Sequence, residues 1–299
     1  MGSNPTQPAI TPPGIIEYVL NLKKEGYKDQ TIASHARILR FLSKQAQLDN
    51  PESIRLVIAS RHVSAGRKEN LVDAYSKFCK YRKIAFSEPR YSREESLPFI
   101  PLEAETETLI NACRSMRHAT TLRLLKETGM RIGEASRLQF RDFDFEKETV
   151  RVVPEKGSRP RELRLSERLT AMLQQVFARY PNKPFPTSEA ARKYLENTRK
   201  ILAETNNNPR FLNIHLHTFR HFKATSLYHQ TKDLLYVQRC LGHRSISNTL
   251  RYTQLVDWKE EAGFICKVAK SLDEASALIE AGFDYVTELD GVRLFRKRK

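Results

Sequence analysis

At 299 residues and 40% hydrophobic content, the chain is long enough to form two domains, each with its own buried core. A formal net charge of +16 and a pI near 9.7 favour a polyanionic partner, nucleic acid foremost, over a merely soluble basic protein. No run of eighteen or so apolar residues occurs, so no segment is expected to span a bilayer and no membrane partner is expected.

Residues 1–14 are polar and proline-rich, without the pattern of a secretory signal, and are expected to form a disordered tail. Cys79, Cys113, Cys240 and Cys266 form no CxxC pair, which indicates neither a zinc site nor a disulfide framework and suits a reducing, cytoplasmic setting. Residues 15–86 read as an all-helical unit. Its helices are expected at Ile15 to Leu22, Thr31 to Ala46, Glu52 to Arg61 (opened by Pro51) and Glu69 to Ile84. The last of these interleaves Tyr75 and Phe78 with Lys77, Lys80, Arg82 and Lys83. Such a helix either faces DNA or keeps its aromatics in a core beneath a solvated cationic rim.

Residues 87–101 hold three prolines and no periodicity, and mark a linker. A second unit follows, with helices expected at Glu103 to Arg114 and Arg117 to Glu127, ending at Thr128-Gly129. A short helix then carries Arg131 and Glu134 as far as Leu138. Phe143 to Phe145 leads into a strand at Thr149 to Val153, and Arg161 to Leu165 returns as its partner. Lys156 would project from that hairpin beside Arg159 and Arg161. Helices at Glu167 to Tyr180 and Ser188 to Glu204 precede the stretch HTFRHFKATSLYHQTKDLLYVQRCLGHRSISNTLRY, residues 217–252. Here His217 starts a helix and shares a face with Arg220, three residues on. A further helix, Asp233 to Leu241, breaks at Gly242 before His243, and a short helix holds Tyr252.

The ordered set TGMRIGE, EKGSR, HTFRH, LGHRS and RYTQL resembles the tyrosine recombinase family of site-specific DNA recombinases and integrases. The intervals agree as well: 25 residues from Arg131 to Lys156, 23 from Arg220 to His243 and nine from His243 to Tyr252. The resemblance covers about Leu102 to Val256. It implies a mainly α fold with a small β component: a helical core-binding domain at 15–86 and a mixed α/β catalytic domain of the DNA breaking–rejoining type at 102–262.

The implied chemistry is transesterification. Tyr252 attacks the scissile phosphate and forms a 3′-phosphotyrosine, with His217 as the base that takes the phenol proton. Arg131 and Arg220 bind the non-bridging oxygens, His243 donates a further hydrogen bond, and Lys156 protonates the departing 5′-oxygen. Glu134 orients Arg131 or forms a plain structural ion pair. Arg159, Arg161 and Arg244 join Lys77, Lys80, Arg82 and Lys83 as candidate DNA contacts. No cofactor, metal or ATP is implied; His217 and His221 share a helix face, but the glutamate of HExxH and a third ligand are absent. The implied partner is duplex DNA with a specific attachment site, bound by a homotetramer that is a monomer or dimer when free, with accessory DNA-bending proteins and a nucleoid location in the cytoplasm.

Two rivals stay open: a type IB topoisomerase-like relaxase, and a non-catalytic DNA-binding regulator on the same fold. Tyr228 and Tyr236 compete for the nucleophile but are most simply core. The chain continues 47 residues past Tyr252, more than the single docking helix typical of the family. Val256 to Ala262 fits that helix. Residues 263–299 then read as a βαββ module with a basic end, similar in overall look to the endings of archaeal integrases: a strand at Phe264 to Ala269, a helix at Leu272 to Ala281, and a hairpin of Asp284 to Glu288 with Val292 to Phe295 turning at Asp290-Gly291.

Overall fold

The computed structural model describes residues 13–93, 97–155, 157–253, 264–289 and 292–298. The chain divides into two compact units, Met1–Ser96 and Leu97–Lys299. Outside the described residues lie most of the N-terminal tail, part of the linker, Lys156, the helix expected at Val256 to Ala262 and the turn expected at Asp290-Gly291.

The first unit consists of helices α1 (Pro13–Lys24), α2 (Asp29–Ser43), α3 (Pro51–Ala59) and α4 (Ala65–Arg82). Their boundaries follow local chemistry. The Asn50 side chain accepts a hydrogen bond from the Ser53 N–H, with Pro51 in the first turn of α3. The Ser64 side chain accepts from the Arg67 N–H and starts α4 four residues ahead of the expected Glu69. Ile15, Tyr18, Leu39, Leu42, Ile54, Ile58, Leu71, Tyr75 and Phe78 form one core. The aromatics of α4 therefore belong to the interior: Tyr75 and Phe78 are buried, and the Tyr75 hydroxyl donates to the Leu48 carbonyl at 2.7 Å. The cations of that helix form the rim, where Lys77 pairs with Asp73, Lys80 with Glu88 and Arg82 with Asp49, and Lys83 is exposed.

The second unit is also mainly helical: α5 (Glu103–Asn111), α6 (Met116–Thr128), the single-turn α7 (Ile132–Ala135), α8 (Glu167–Arg179), α9 (Ser188–Thr205), α10 (Leu216–Thr231), α11 (Leu234–Leu241) and α12 (Ser247–Leu250). Helix α6 lies against α5, α8 and α10. Its Thr120, Thr121, Leu122, Leu124 and Leu125 are all buried, as befits a helix covered on several sides, and the Thr121 hydroxyl donates to the Arg117 carbonyl. The small sheet β1 (Phe143–Asp144), β2 (Thr149–Val152) and β3 (Arg161–Arg164) is an antiparallel meander, with Val150 opposite Leu163 and Val152 opposite Arg161. Val150 and Val152 point into the core, and β2 pairs with β3 as an antiparallel hairpin.

Past residue 263, β4 (Phe264–Ala269), α13 (Leu272–Glu280), β5 (Asp284–Leu289) and β6 (Val292–Arg298) build a second antiparallel sheet in the order β4-β6-β5. The final hairpin is longer than the sequence suggests, and β6 lies in the middle. Phe283, Phe295, Ala269 and Ala275 make its core. Among the described residues, no helix is long and apolar enough to cross a membrane.

Leu125 is fully buried in α6. Leu125→Ala is predicted to lower unfolding stability by about 2–5 kcal/mol, through lost transfer energy and the cavity left behind. Urea unfolding of the full chain followed by circular dichroism measures it; a loss below about 1 kcal/mol would contradict the role given to α6.

Candidate active site

Helix α6 ends at Gly129, whose φ of +65° is the left-handed conformation that closes a helix with little strain only for glycine. The chain turns at Met130 and presents Arg131 at the start of α7. One turn later comes Glu134, a carboxylate with no side-chain exposure. A buried carboxylate must be fully partnered. Glu134 accepts from the Arg131 N–H at 2.9 Å, the Glu155 N–H at 3.3 Å and Arg161 Nη2 at 2.7 Å, with Arg131 Nη1 at 3.5 Å. Burial raises its pKa, but the bonds and charge of Arg161 and the two N–H groups outweigh that and hold it below the usual carboxylate range. Glu134 thus joins α7 to both sides of the β2–β3 hairpin. It positions Arg131 chiefly through the main chain.

Arg220, on the second turn of α10, is 1% exposed. Nη1 donates to the Gly129 carbonyl at 2.8 Å and Nη2 to the Leu241 carbonyl at 2.7 Å. Both acceptors lie at helix C-termini, where carbonyls lack intrahelical partners and the dipole is negative. Burial, then the charges of Arg131 and Arg161, push its pKa down to about 10, which leaves it cationic at neutral pH.

The turn after α11 holds the other arginine. Gly242 has φ +68°, and a Cβ there would meet the Arg159 carbonyl at 2.9 Å. The Gly242 carbonyl accepts from the Arg159 N–H at 3.0 Å and from Ser158 Oγ at 2.6 Å, and Ser158 Oγ in turn accepts from Arg131 Nη1 at 2.9 Å. His243 follows, 8% exposed, with Nδ1 2.9 Å from Thr249 Oγ1. Burial, reinforced by Arg220, Arg131, Arg161 and Arg251, pushes its pKa down to about 3, so it is neutral.

Tyr252 lies just past α12, its N–H donating to the Thr249 carbonyl at 3.0 Å. The side chain is 2% exposed and packs with Ala224, Leu227, Val237 and Leu241. Burial raises the phenol pKa, and Arg220, Arg251 and Arg131 work against that rise. Its hydroxyl is 3.0 Å from Nδ1 of His221. His217 is exposed and places its ring edge-on to His221, with centroids 4.7 Å apart.

Arg220, His243 and Tyr252 are therefore buried near one another, with Arg131, its side chain 24% exposed, close enough for its charge and that of Arg220 to act on both His243 and Tyr252, and with His217 packed against His221 beside them. Lys156 lies outside the described residues, on the hairpin between Glu155 and Gly157. Arg159 and Arg244 are exposed, whereas the Arg161 side chain is 5% exposed and held by Glu134. Tyr236 is 40% exposed, its ionisation governed first by Cys240, and Tyr228 is packed beside the Tyr252 cluster. Two contributors escape a reading of the sequence alone. His221 stands out only as the fourth-residue neighbour of His217, and Ser158 as one small residue of the EKGSR turn.

The model of the phage integrase family matches residues 102–258, more than half of the chain. The chain belongs to that family. Among its relatives, the tyrosine recombinase XerA of Pyrococcus horikoshii is 28% identical over 166 residues, 54% of this chain and 58% of that protein. The tyrosine recombinase XerC of Pediococcus pentosaceus is 28% identical over 206 residues, 60% of this chain and 66% of the relative. The match thus spans less than two thirds of either relative. The fold is similar to that of the Tn1549 transposon integrase in complex with transposon right end DNA, with a TM-score of 0.63 and 17% identity, covering 90% of this chain and 99% of that one. It is also similar to a lambda integrase dimer bound to a COC′ core site, with a TM-score of 0.62 and 15% identity, covering 80% and 93%. The likeness bears on the fold, which in this chain is mainly helical with small sheets.

Glu134→Gln is predicted to destabilise the protein by about 3–5 kcal/mol, because it breaks a buried pair and leaves the Arg161 cation uncompensated. In the wild type, the folded pKa of Glu134 lies below its unfolded value, so its contribution is present above the unfolded pKa and is lost as pH falls through the folded one. Denaturant melts of both proteins at neutral and acidic pH measure this: the stability difference should shrink on acidification, and a constant difference would refute it.

Proposed function

We propose that the protein is a site-specific DNA recombinase or integrase that cuts and rejoins duplex DNA through a covalent 3′-phosphotyrosine on Tyr252. The observation that carries this reading is that Arg131 and Arg220 lie near enough to both His243 and Tyr252 for their charges to act on them, in a chain of the phage integrase family.

A phosphodiester gains negative charge on its non-bridging oxygens as the pentacoordinate state forms. Two guanidiniums already tied to protein acceptors, Arg131 through Nη1 and Arg220 through both terminal nitrogens, suit that charge, since little further ordering is needed when DNA arrives. His243 is neutral; in the tautomer in which Thr249 Oγ1 donates to Nδ1, the ring proton sits on Nε2 and can be donated to a phosphate oxygen. Lys156 is assigned to protonation of the departing 5′-oxygen. His217 is the residue the family pattern assigns to the Tyr252 proton. The phosphotyrosine conserves the bond energy, so religation requires no ATP.

The exposed Arg159 and Arg244, with Lys77, Lys80, Arg82 and Lys83, are assigned to the DNA backbone. The partners in the first unit are surface ion pairs worth ~1 kcal/mol or less, readily exchanged for phosphates. Arg161 is assigned instead to holding Glu134. Strand exchange between two duplexes calls for four protomers, with accessory DNA-bending proteins as further partners.

The test is a nicked suicide duplex carrying the attachment site. Wild type should give a covalent protein–DNA band and Tyr252→Phe none. A band that persists in Tyr252→Phe would move the nucleophile, and no band from either protein despite tight binding would favour a non-catalytic regulator. Relaxation of any supercoiled DNA without strand exchange would favour a topoisomerase. Binding should weaken along a straight line of log affinity against log salt.

A further inference from the structure

The hydroxyl that must lose a proton touches one histidine among the described contacts, and it is not the one the motif singles out. Nδ1 of His221 stands 3.0 Å from Tyr252 Oη, within the distance a general base needs for direct transfer. His217 is one helical turn earlier, exposed, and edge-on to the His221 ring. From its geometry we propose that His221 is the immediate acceptor of the Tyr252 proton, and so a catalytic residue. The proposal rests on Tyr252 being the nucleophile.

The step balances as follows. The Tyr252 O–H proton passes to Nδ1 of His221, which becomes an imidazolium as the Tyr252 Oη–phosphorus bond forms. The bond from phosphorus to the 5′-oxygen breaks with its electron pair, and that oxygen takes a proton from Lys156. Religation runs the same transfers in reverse.

The surroundings of His221 fit a base that is weak until substrate arrives. Its facing groups are His217 and Arg220 from α10, and Arg251 and Tyr252 from the segment after α12. Burial first, then His217, Arg251 and Arg220, push its pKa down to about 4, so Nδ1 carries a free lone pair at neutral pH when Nε2 holds the ring proton. A DNA phosphate on Arg131 and Arg220 supplies negative charge against that cationic field and raises the basicity of His221.

The experiment is single-turnover cleavage of the suicide duplex across pH by wild type, His221→Gln, His217→Gln and Tyr252→Phe. Thermal melting and DNA affinity are measured for each protein. His221→Gln should bind DNA as wild type does but cleave ~10²–10⁴-fold more slowly, the usual contribution of a general base. Wild-type cleavage should fall on the acid side as His221 protonates, and that limb should vanish in His221→Gln while remaining in His217→Gln. A duplex with a 5′-bridging sulfur, whose thiolate leaves without a proton, should rescue Lys156→Ala but not His221→Gln. Should the glutamine protein melt early, added imidazole should accelerate His221→Ala.

Cleavage by His221→Gln within about twofold of wild type, persistence of its acid limb, rescue by the sulfur duplex, or no imidazole response in the alanine protein would each overturn the assignment. A covalent band from Tyr252→Phe would instead overturn the nucleophile reading beneath it.

Discussion

A guanidinium with 1% exposure is the constraint on which the second unit depends. Arg220 lies near Arg131 and Arg161, all of one sign, and its own pKa falls in response. Such a cation is tolerable only where fixed acceptors replace its water. The fold supplies two main-chain carbonyls, one at the end of α6 and one at the end of α11. Helices distant in sequence must therefore end within reach of one side chain. The glycines at those ends are what allow each helix to stop so abruptly.

The same requirement explains the neutral histidines. Burial first, and then the cations around them, make protonation of His243 and His221 costly, so each keeps a lone pair or a single N–H for a directed hydrogen bond. Glu134 is the counterweight. It balances Arg161, while Arg131 has its Nη1 3.5 Å from the carboxylate and 2.9 Å from Ser158 Oγ. Glutamate, serine and backbone carbonyls together hold this cluster of cations in place.

Much of this was legible from residue order, because helix boundaries are written locally. Asn50, Ser64 and Gly129 punctuate the chain through backbone chemistry that any reader of the sequence can apply. The pairing of Arg131 with Glu134 was legible for the same reason, being three residues apart. What was not legible depends on distance along the chain. Ser158 meets the Gly242 carbonyl across 84 residues, and nothing in EKGSR announces that contact. Periodicity places His217 and His221 on one face of α10, yet which of them meets Tyr252 is decided by where the chain returns after α12. Arg161 looked like one more surface cation until the burial of Glu134 claimed it. The aromatics of α4 admitted two readings from composition, and the core of the first unit resolved them.

The strand order β4-β6-β5 has its own consequence for how the chain acquires structure. β4 and β5 make no ladder with each other; each pairs only with β6, the latest of the three to be synthesised. On a ribosome, the two earlier strands emerge with their backbone donors and acceptors unmatched until residues 292–298 follow. The second sheet is therefore assembled after translation has passed it, whereas every element of the pocket around Arg220 has by then already emerged.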